Sequence, residues 1–318
     1  MRLPLPTLVV AVLSGVLYGV VARVMFADGG RLFGAGVMSL AFVVLVPLAV
    51  GFLAGVLGGR EGGRMRSLML AVTATACLAL VLLIGLEGLI CVVMIAPPFL
   101  VFATAGAMLA DAVRRHARNR RMHASAVGAI LLLPYLALPL ESRIPLPDTR
   151  RTVENRVRIR ADAEAVWRNI ARVPPIRREE YGDSFVHRIG FPRPVEATLS
   201  RDGVGGVRQA TFERGVAFRE TVTDWRPGRR LSFTIAVDSI PRASLDEHVT
   251  VGGPFFDVLD GTYEIMPLGP GEVELRLRST HRLSTHFNPY AALWTDLVMR
   301  QVQENILRVI RVRAEAAR

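Results

Sequence analysis

The sequence predicts a membrane protein with two domains: N-terminal all-α transmembrane helices in residues 1–144 and a C-terminal α+β domain in residues 145–318. Long apolar stretches follow one another through about the first 140 residues, and hydrophobic residues make up 51% of the chain, more than a soluble protein needs. After residue 145 the pattern changes to alternating polar and apolar residues separated by turns. The chain ends on one long amphipathic stretch, so we expect an antiparallel sheet around a long C-terminal helix.

The N-terminal half contains five candidate spans. A bilayer core about 30 Å thick requires roughly 20 apolar residues in a helix. Stretches without Asp, Glu, Lys or Arg that approach this length occur at residues 5–22, 33–57, 67–86, 89–110 and 123–140. The fifth is short and contains Pro134 and Pro139, so four spans remain an alternative. The first is long for a signal peptide and no cleavage site follows it, so we expect it to be retained.

Arginine residues in the connecting segments predict the orientation. Arg60, Arg64 and Arg66 separate the second and third stretches, and the arginine-rich segment 114–121 separates the fourth and fifth. Two helices lie between these segments, so both face one side, which the positive-inside rule identifies as the cytoplasm. We expect a bacterial inner (plasma) membrane protein with a cytoplasmic N-terminus. The C-terminal domain lies outside if there are five spans and in the cytoplasm if there are four.

The role predicted for this half is limited. Pumps and coupled transporters keep charges inside the membrane for function, and the five stretches contain no acidic residue, lysine or arginine; Glu87 falls in a turn. The glycine pairs Gly15 with Gly19 and Gly51 with Gly55 predict close helix packing within the domain. We interpret this half as an anchor, a scaffold or a lipid contact.

The C-terminal half is predicted as a strand, a short helix, a meander of strands and a long helix. Residues 153–160 alternate as a strand, and Asp162 is placed to cap a short helix. Further strands are predicted at residues 195–199, 207–212, 217–225, 231–237, 259–265 and 273–281. Short turns make neighbouring strands pair antiparallel. Asn288 and Pro289 predict the start of the last helix. Its apolar stripe is predicted at Leu297 or Val298, Val302, Ile306 and Val309.

Several short motifs, in this order and spacing, resemble the helix-grip superfamily called SRPBCC, which includes START-type lipid-transfer domains and polyketide cyclases. They are Ala161-Asp162-Ala163-Glu164-Ala165-Val166-Trp167, Gly203-Val204-Gly205-Gly206-Val207-Arg208, Phe218-Arg219-Glu220-Thr221-Val222, Trp225-Arg226-Pro227-Gly228-Arg229-Arg230-Leu231 and the closing long helix. The resemblance covers about Thr152 to Arg313, and no single motif is specific. It implies a helix-grip fold whose cavity holds an apolar small molecule or lipid.

Strand alternation supplies candidate residues for that cavity. It directs Glu220 and His281 inward, and a hairpin turn at Arg214-Gly215 would bring Arg208 next to Glu220. Alternatively, a bulge turns these side chains to solvent, or the ion pair is only structural. Glu220 and His281 are the candidate catalytic residues. The predicted ligand-binding residues are Arg208, Phe218, Glu220, Phe233, Ile235, Leu275, Leu277, His281, Trp294, Val298 and Val302.

Other chemistry is disfavoured. His281, His286 and the run Asp246-Glu247-His248 offer metal-ligand residue types, but their spacing matches no metal motif, so we predict no metal and no cofactor. The net charge of +11 comes without any nucleic-acid-binding motif, so no nucleic-acid partner is predicted. The long segment 238–257 contains Phe255 and Phe256, which we expect to gate the pocket or to touch the bilayer.

Three functions are compatible with these features. The preferred one is a membrane-anchored binding protein for a hydrophobic small molecule or lipid, with membrane lipids as its other partner. The second is an enzyme of the cyclase, dehydratase or hydrolase kind that uses the same cavity. The third is a non-catalytic interaction module. The sequence indicates no particular oligomeric state.

Overall fold

The computed structural model describes residues 5–33, 36–58, 63–116, 120–241 and 250–316. The chain divides into two compact units, Met1–Leu146 and Pro147–Arg318. Arg60, Arg118 and the run Asp246-Glu247-His248 lie outside the described residues.

The N-terminal unit is helical. Its helices are α1 (Leu5–Phe33), α2 (Val46–Leu57), α3 (Gly63–Leu83), α4 (Leu89–His116) and α5 (Arg120–Glu141). Among the described residues, three helices are long and apolar enough to cross a membrane: Leu8–Ala27, Leu89–His116 and Arg121–Glu141. Two shorter apolar helices, Ala41–Leu57 and Ser67–Leu83, correspond to the other predicted spans. The prolines of the fifth predicted span do not break it, since Pro134 and Pro139 both lie inside α5.

The second predicted span is not one regular helix. A π-helical turn at Ala41–Leu45 precedes α2, and Pro47 follows directly in its first turn. Proline has no N–H to donate to the carbonyl four residues earlier, which favours this local widening of the helix. The Glu141 carboxylate accepts hydrogen bonds from the N–H groups of Leu40 (2.7 Å) and Ala41 (2.8 Å) and so caps this turn.

Glycine packing within the N-terminal unit is confirmed. A Cβ placed on Gly51 would lie 1.8 Å from the carbonyl oxygen of Ala103, so only glycine allows α2 and α4 to approach this closely. Gly15 and Gly19 pack in the same way against Thr73 and Cys77 of α3. The sequence did not reveal the buried ion pair between Arg23 of α1 and Glu87 of the α3–α4 turn.

The C-terminal unit is one sheet and one long helix. Its elements are β1 (Thr149–Ile159), α6 (Ala163–Ala171), α7 (Phe185–Arg188), β2 (Pro194–Leu199), β3 (Val207–Phe212), β4 (Ala217–Arg226), β5 (Arg230–Ser239), β6 (Phe256–Gly269), β7 (Glu272–Leu283) and α8 (Asn288–Ala316). The strands form a seven-stranded antiparallel sheet in the order β1-β7-β6-β5-β4-β3-β2, and α8 packs against it. This is the predicted helix-grip architecture. Asp162 caps α6 as expected, by accepting a bond from Ala165 N–H (2.7 Å).

Helix α8 lies along the end strand β1 and forms three hydrogen bonds with β1 and the residue that follows it. Gln303 Nε2 donates to the Val153 carbonyl (3.2 Å), Asn155 Nδ2 donates to the Arg300 carbonyl (2.8 Å), and Glu315 Oε1 accepts from Arg160 N–H (3.0 Å). These contacts attach α8 to the end strand of the sheet.

The predicted apolar stripe of α8 is partly wrong. The side chains of α8 in the unit's buried clusters are Ala291, Ala292, Met299, Leu307, Ile310 and Ala314. Ile306 is half-buried and packs against the main cluster as expected, whereas Val302 is only half-buried. Val298 and Val309 are buried as expected. The buried face of α8 is rotated relative to the predicted stripe. The polar residue Gln303 occupies an interior position, and hydrophobic periodicity alone does not detect such a residue.

Candidate functional site

A buried ion pair lies on the inward face of the sheet in the C-terminal unit. Arg208 on β3 and Glu220 on β4 are directly opposite in the register, because Arg214 and Gly215 turn the chain with positive φ angles of 61° and 75°. Arg208 Nη1 donates to Glu220 Oε2, and both side chains are buried. Burial raises the pKa of the Glu220 carboxyl, and the attraction of Arg208 opposes that shift. The two predicted polar residues are therefore brought together inside the unit.

Aromatic rings surround this pair. The Arg208 guanidinium carbon lies 5.5 Å from the centre of the Phe233 ring, a cation–π contact. Desolvation lowers the pKa of Arg208, but Glu220 and the Tyr263 hydroxyl outweigh it and raise the pKa overall. Burial also raises the pKa of Tyr263 to about 12. The ring of Phe233 lies over Gly261, where a Cβ would approach two ring carbons to 2.7 Å. Arg208 Nε has no hydrogen-bond partner among the described residues.

A second polar cluster joins β7 to α8. His281 is fully buried, and its Nε2 lies 3.8 Å from Asp296 Oδ1, too far for a hydrogen bond. Arg151 holds Asp296 through two bonds, from Nε to Oδ1 (3.0 Å) and from Nη2 to Oδ2 (2.7 Å). The Arg151 bond is the largest cause lowering the pKa of Asp296, whereas desolvation lowers that of His281.

Buried polar atoms in this cluster have no partner. Neither ring nitrogen of His281 forms a hydrogen bond within the described part of the chain, and the same holds for Gln303 Oε1. Gln303 Nε2, by contrast, donates to Ser279 Oγ (3.0 Å). Buried polar groups are rarely left unpaired, so such atoms mark places where a water or a ligand group supplies the missing bond.

The interior opens toward one end of the sheet. Along β5 the exposure of the inward side chains falls from 39% at Val237 to 4% at Phe233 and 0% at Leu231, and Ile235, between them, is half-buried. Phe218, opposite Val237 in the register, is also half-buried. The ion pair lies at the level of Ile235, because Glu220 pairs with Ile235 in the register. The polar side chains of Arg208 and Glu220 thus lie between the partly exposed apolar end at Val237 and the buried apolar core at Leu231.

The other predicted site residues occupy different surroundings. Leu275 and Leu277 are buried in the main core with Leu231 and Tyr263, so they support the sheet. Trp294 is half-buried on α8. The sequence analysis missed Tyr263, Asp296, Arg151 and Gln303. The parity of β6 and β1 could have indicated Tyr263 and Arg151, whereas the helical residues need the actual rotation of α8.

Two further expectations concern the ends of the sheet. Among the described residues, no group of three or more His, Cys, Asp or Glu could hold a metal ion, and His286 is half-buried near the start of α8. Phe255 and Phe256 are both buried, and Phe256 packs against Val153 and Met299. The burial of both rings argues against the alternative in which the pair touches the bilayer, and gating of the pocket stays a prediction.

No protein-family profile and no curated protein matches the sequence. Solved structures similar to the C-terminal half include the ZhuI aromatase/cyclase from Streptomyces sp. R1128, at 16% identity, with 54% of this chain and 97% of that chain covered and a TM-score of 0.34. They also include norcoclaurine synthase from Thalictrum flavum, at 12% identity, with 54% and 87% covered and a TM-score of 0.32. A protein from Chromobacterium violaceum matches at 17% identity, with 53% and 99% covered and a TM-score of 0.30.

Proposed function

We propose that this chain is a membrane-anchored binding protein for a hydrophobic small molecule or lipid. The observation that carries the proposal is the gradient along β5, where inward apolar side chains pass from partly exposed Val237 to fully buried Leu231. A cavity with apolar walls and a few polar groups is typical of small-molecule sites. Arg208 and Glu220 supply the polar groups at the level of Ile235 and would orient a ligand that has one polar end.

Native mass spectrometry of the full chain, released from detergent micelles, tests this function. The preparation is analysed as purified and after incubation with oleic acid. The variant Ile235→Trp fills the opening and should lose the bound mass, because an indole takes the space of the ligand. Met266→Trp is the matched control, since Met266 is an exposed apolar residue on β6. Equal bound mass in both variants, or none in the wild type, would count against the proposal.

For the N-terminal unit we propose five spans. Two contacts indicate that helices α1 and α5 run parallel: Tyr18 donates to the Leu131 carbonyl (2.8 Å), and Phe26 packs on Tyr135. The residue numbers increase in the same direction on both helices. If successive helices cross the membrane in opposite directions, a first and a last helix that run parallel require an odd number of spans. The end of α5 then lies on the side of the membrane opposite to the N-terminus. Together with the positive-inside rule, it favours a C-terminal unit outside the cytoplasm. Alkaline phosphatase fused after Arg318 should be active, and a fluorescent protein at that point should be dark when exported unfolded; the reverse pattern would support four spans.

A cyclase or dehydratase is the second candidate function, favoured by the His281 cluster. A neutral imidazole with an unpaired nitrogen beside a carboxylate is the arrangement of a general base. Arg151 holds the carboxylate of Asp296 in its ionised form. A dehydratase should lower the mass of a ligand retained by the wild type by one water over time, and a cyclase that closes a ring without losing water should change the ligand's chromatographic retention at constant mass. His281→Gln should bind the same ligand and cause neither change. A ligand of constant mass and constant retention in the wild type would refute this alternative.

A further inference from the structure

A groove separate from the sheet interior lies between β1, α8 and the segment before α7. Its volume is about 420 Å³, within the range of small-molecule sites. Its lining includes Asn155 and Val157 of β1, Ser184, and Asn305, Arg308 and Arg311 of α8.

The wall opposite β1 is fixed to α8. Asn305 Oδ1 accepts a bond from Gly182 N–H (3.1 Å), and Gln301 Oε1 accepts bonds from Ser184 Oγ (2.9 Å) and Val186 N–H (3.1 Å). A Cβ on Gly182 would lie 3.1 Å from Arg308 Cδ, so this position allows the segment to lie close to the arginine stem. The groove is thus held open by bonds within the unit, which reduces the cost of ordering on binding.

The groove carries an excess of positive charge. Arg156, Arg308 and Arg311 all line it, and none of them forms an ion pair within the described part of the chain. The acidic residues in the lining are Asp183, which pairs with Arg188 at 2.7 Å, and Glu304. Three arginines less Glu304 leave a local charge of +2, because the Asp183–Arg188 pair is neutral.

The edge of β1 adds a hydrogen-bond donor. β1 is the end strand of the sheet, and Ile265 N–H, which donates to the Arg229 carbonyl, fixes the direction in which the backbone groups of β6, β7 and β1 point. In an antiparallel ladder the N–H and C=O of one residue point to the same side, and this alternates along the strand. Asn155 and Val157 therefore point their backbone groups toward β7, whereas the N–H of Arg156, between them, lies at the open edge that lines the groove.

From this arrangement we infer that the groove binds a phosphate monoester group, carried by a soluble organic phosphate or by a lipid headgroup. A monoester has a charge near −2 at neutral pH, which matches the local +2, whereas a carboxylate would leave one arginine uncompensated. Guanidinium groups form paired hydrogen bonds to phosphate oxygens, and the backbone N–H of Arg156 can bind a remaining oxygen. The lining shares no residue with the Arg208–Glu220 pair or the inward side chains of β5, so this inference does not depend on the proposed function.

Isothermal titration of the full chain in detergent micelles with glycerol 3-phosphate tests the inference. Arg308→Gln and Arg311→Gln should each weaken binding by about tenfold, since each removes a charge-assisted hydrogen bond. Arg300→Gln is the matched control, because Arg300 is an exposed arginine of α8 outside the groove lining. Its effect should stay below about twofold, as expected for a charge that contacts no ligand atom.

Glu304→Gln should increase the affinity, a result that misfolding of the variant cannot produce. Removing this negative charge should tighten binding by about threefold. Absence of binding to the wild type, equal loss in Arg300→Gln, or weaker binding in Glu304→Gln would each overturn the inference. Nanodiscs distinguish the two sources: phosphatidic acid should compete with glycerol 3-phosphate if the ligand is a lipid headgroup, and should leave its affinity unchanged if the ligand is soluble.

Discussion

Glu220→Met should strongly destabilise the C-terminal unit, because it leaves the Arg208 guanidinium buried without its counter-charge. The two side chains are only 5% and 10% exposed, so little water can replace the lost partner. Breaking a buried pair on one side costs about 3–5 kcal/mol of the free energy of unfolding. With a urea m-value of about 2 kcal/mol per M, the midpoint should fall by about 2 M. Replacing both residues by methionine removes both charges and should recover most of this loss.

Tryptophan fluorescence is a suitable assay, because all three tryptophans of the chain, at positions 167, 225 and 294, lie in the C-terminal unit. The full chain is unfolded with urea in detergent micelles. Arg219→Met is the matched control: its ion pair with Asp238 lies one residue along β4 but is largely exposed, so the loss should stay below about 1 kcal/mol. The reasoning is refuted if Glu220→Met costs no more than the control, or if the double variant is as unstable as the single one.

Three further predictions concern glycines and a histidine. Gly51→Ala should disrupt the N-terminal unit, seen as aggregation in size-exclusion chromatography, whereas Gly128→Ala should leave it intact, because no atom lies within 4 Å of a Cβ there. Gly261→Ala should displace the ring of Phe233 and cost about 1–3 kcal/mol in urea unfolding; a neutral result would contradict the close contact. His281 has a lowered pKa in the folded state, so the unfolded state binds more protons and stability falls as pH drops below the ordinary histidine value. His281→Gln should reduce this slope between about pH 7 and pH 5; an unchanged slope would exclude burial of the neutral imidazole.

The order of elements in the C-terminal unit could be predicted because its signals are local. Asp162 before a short helix, the Arg214-Gly215 turn and Asn288 before the last helix each fix a boundary through the chemistry of neighbouring residues. Strand alternation together with the Arg214-Gly215 turn also predicts that Arg208 and Glu220 lie opposite each other. The rotation of α8 did not follow, because its inward face includes Gln303 and hydrophobic periodicity treats such a residue as exposed.

The groove beside β1 could not be predicted for a different reason. Its lining comes from three segments far apart in the sequence, and Arg156, Arg308 and Arg311 look like any solvent-exposed arginines in a chain with 39 basic residues. The bonds of Gly182 to Asn305, of Ser184 to Gln301 and of Asn155 to the Arg300 carbonyl bring the segments together. Nonlocal sites of this kind require the packed structure.

The cost of the buried ion pair is itself an argument about function. An apolar pair of similar volume is often as stable as a buried ion pair or more stable, so Arg208 and Glu220 are not required to hold the sheet together. Within the described residues, Arg208 Nε and the ring nitrogens of His281 also have no hydrogen-bond partner, which lowers stability further. Arg208 lies beside Phe233 in the row of β5 side chains whose exposure rises toward Val237, whereas His281 lies two strands away on β7. A ligand with an apolar body and a hydrogen-bonding end would satisfy the polar atoms and cover the exposed apolar surface at once, whereas an interior filled only for stability would need neither.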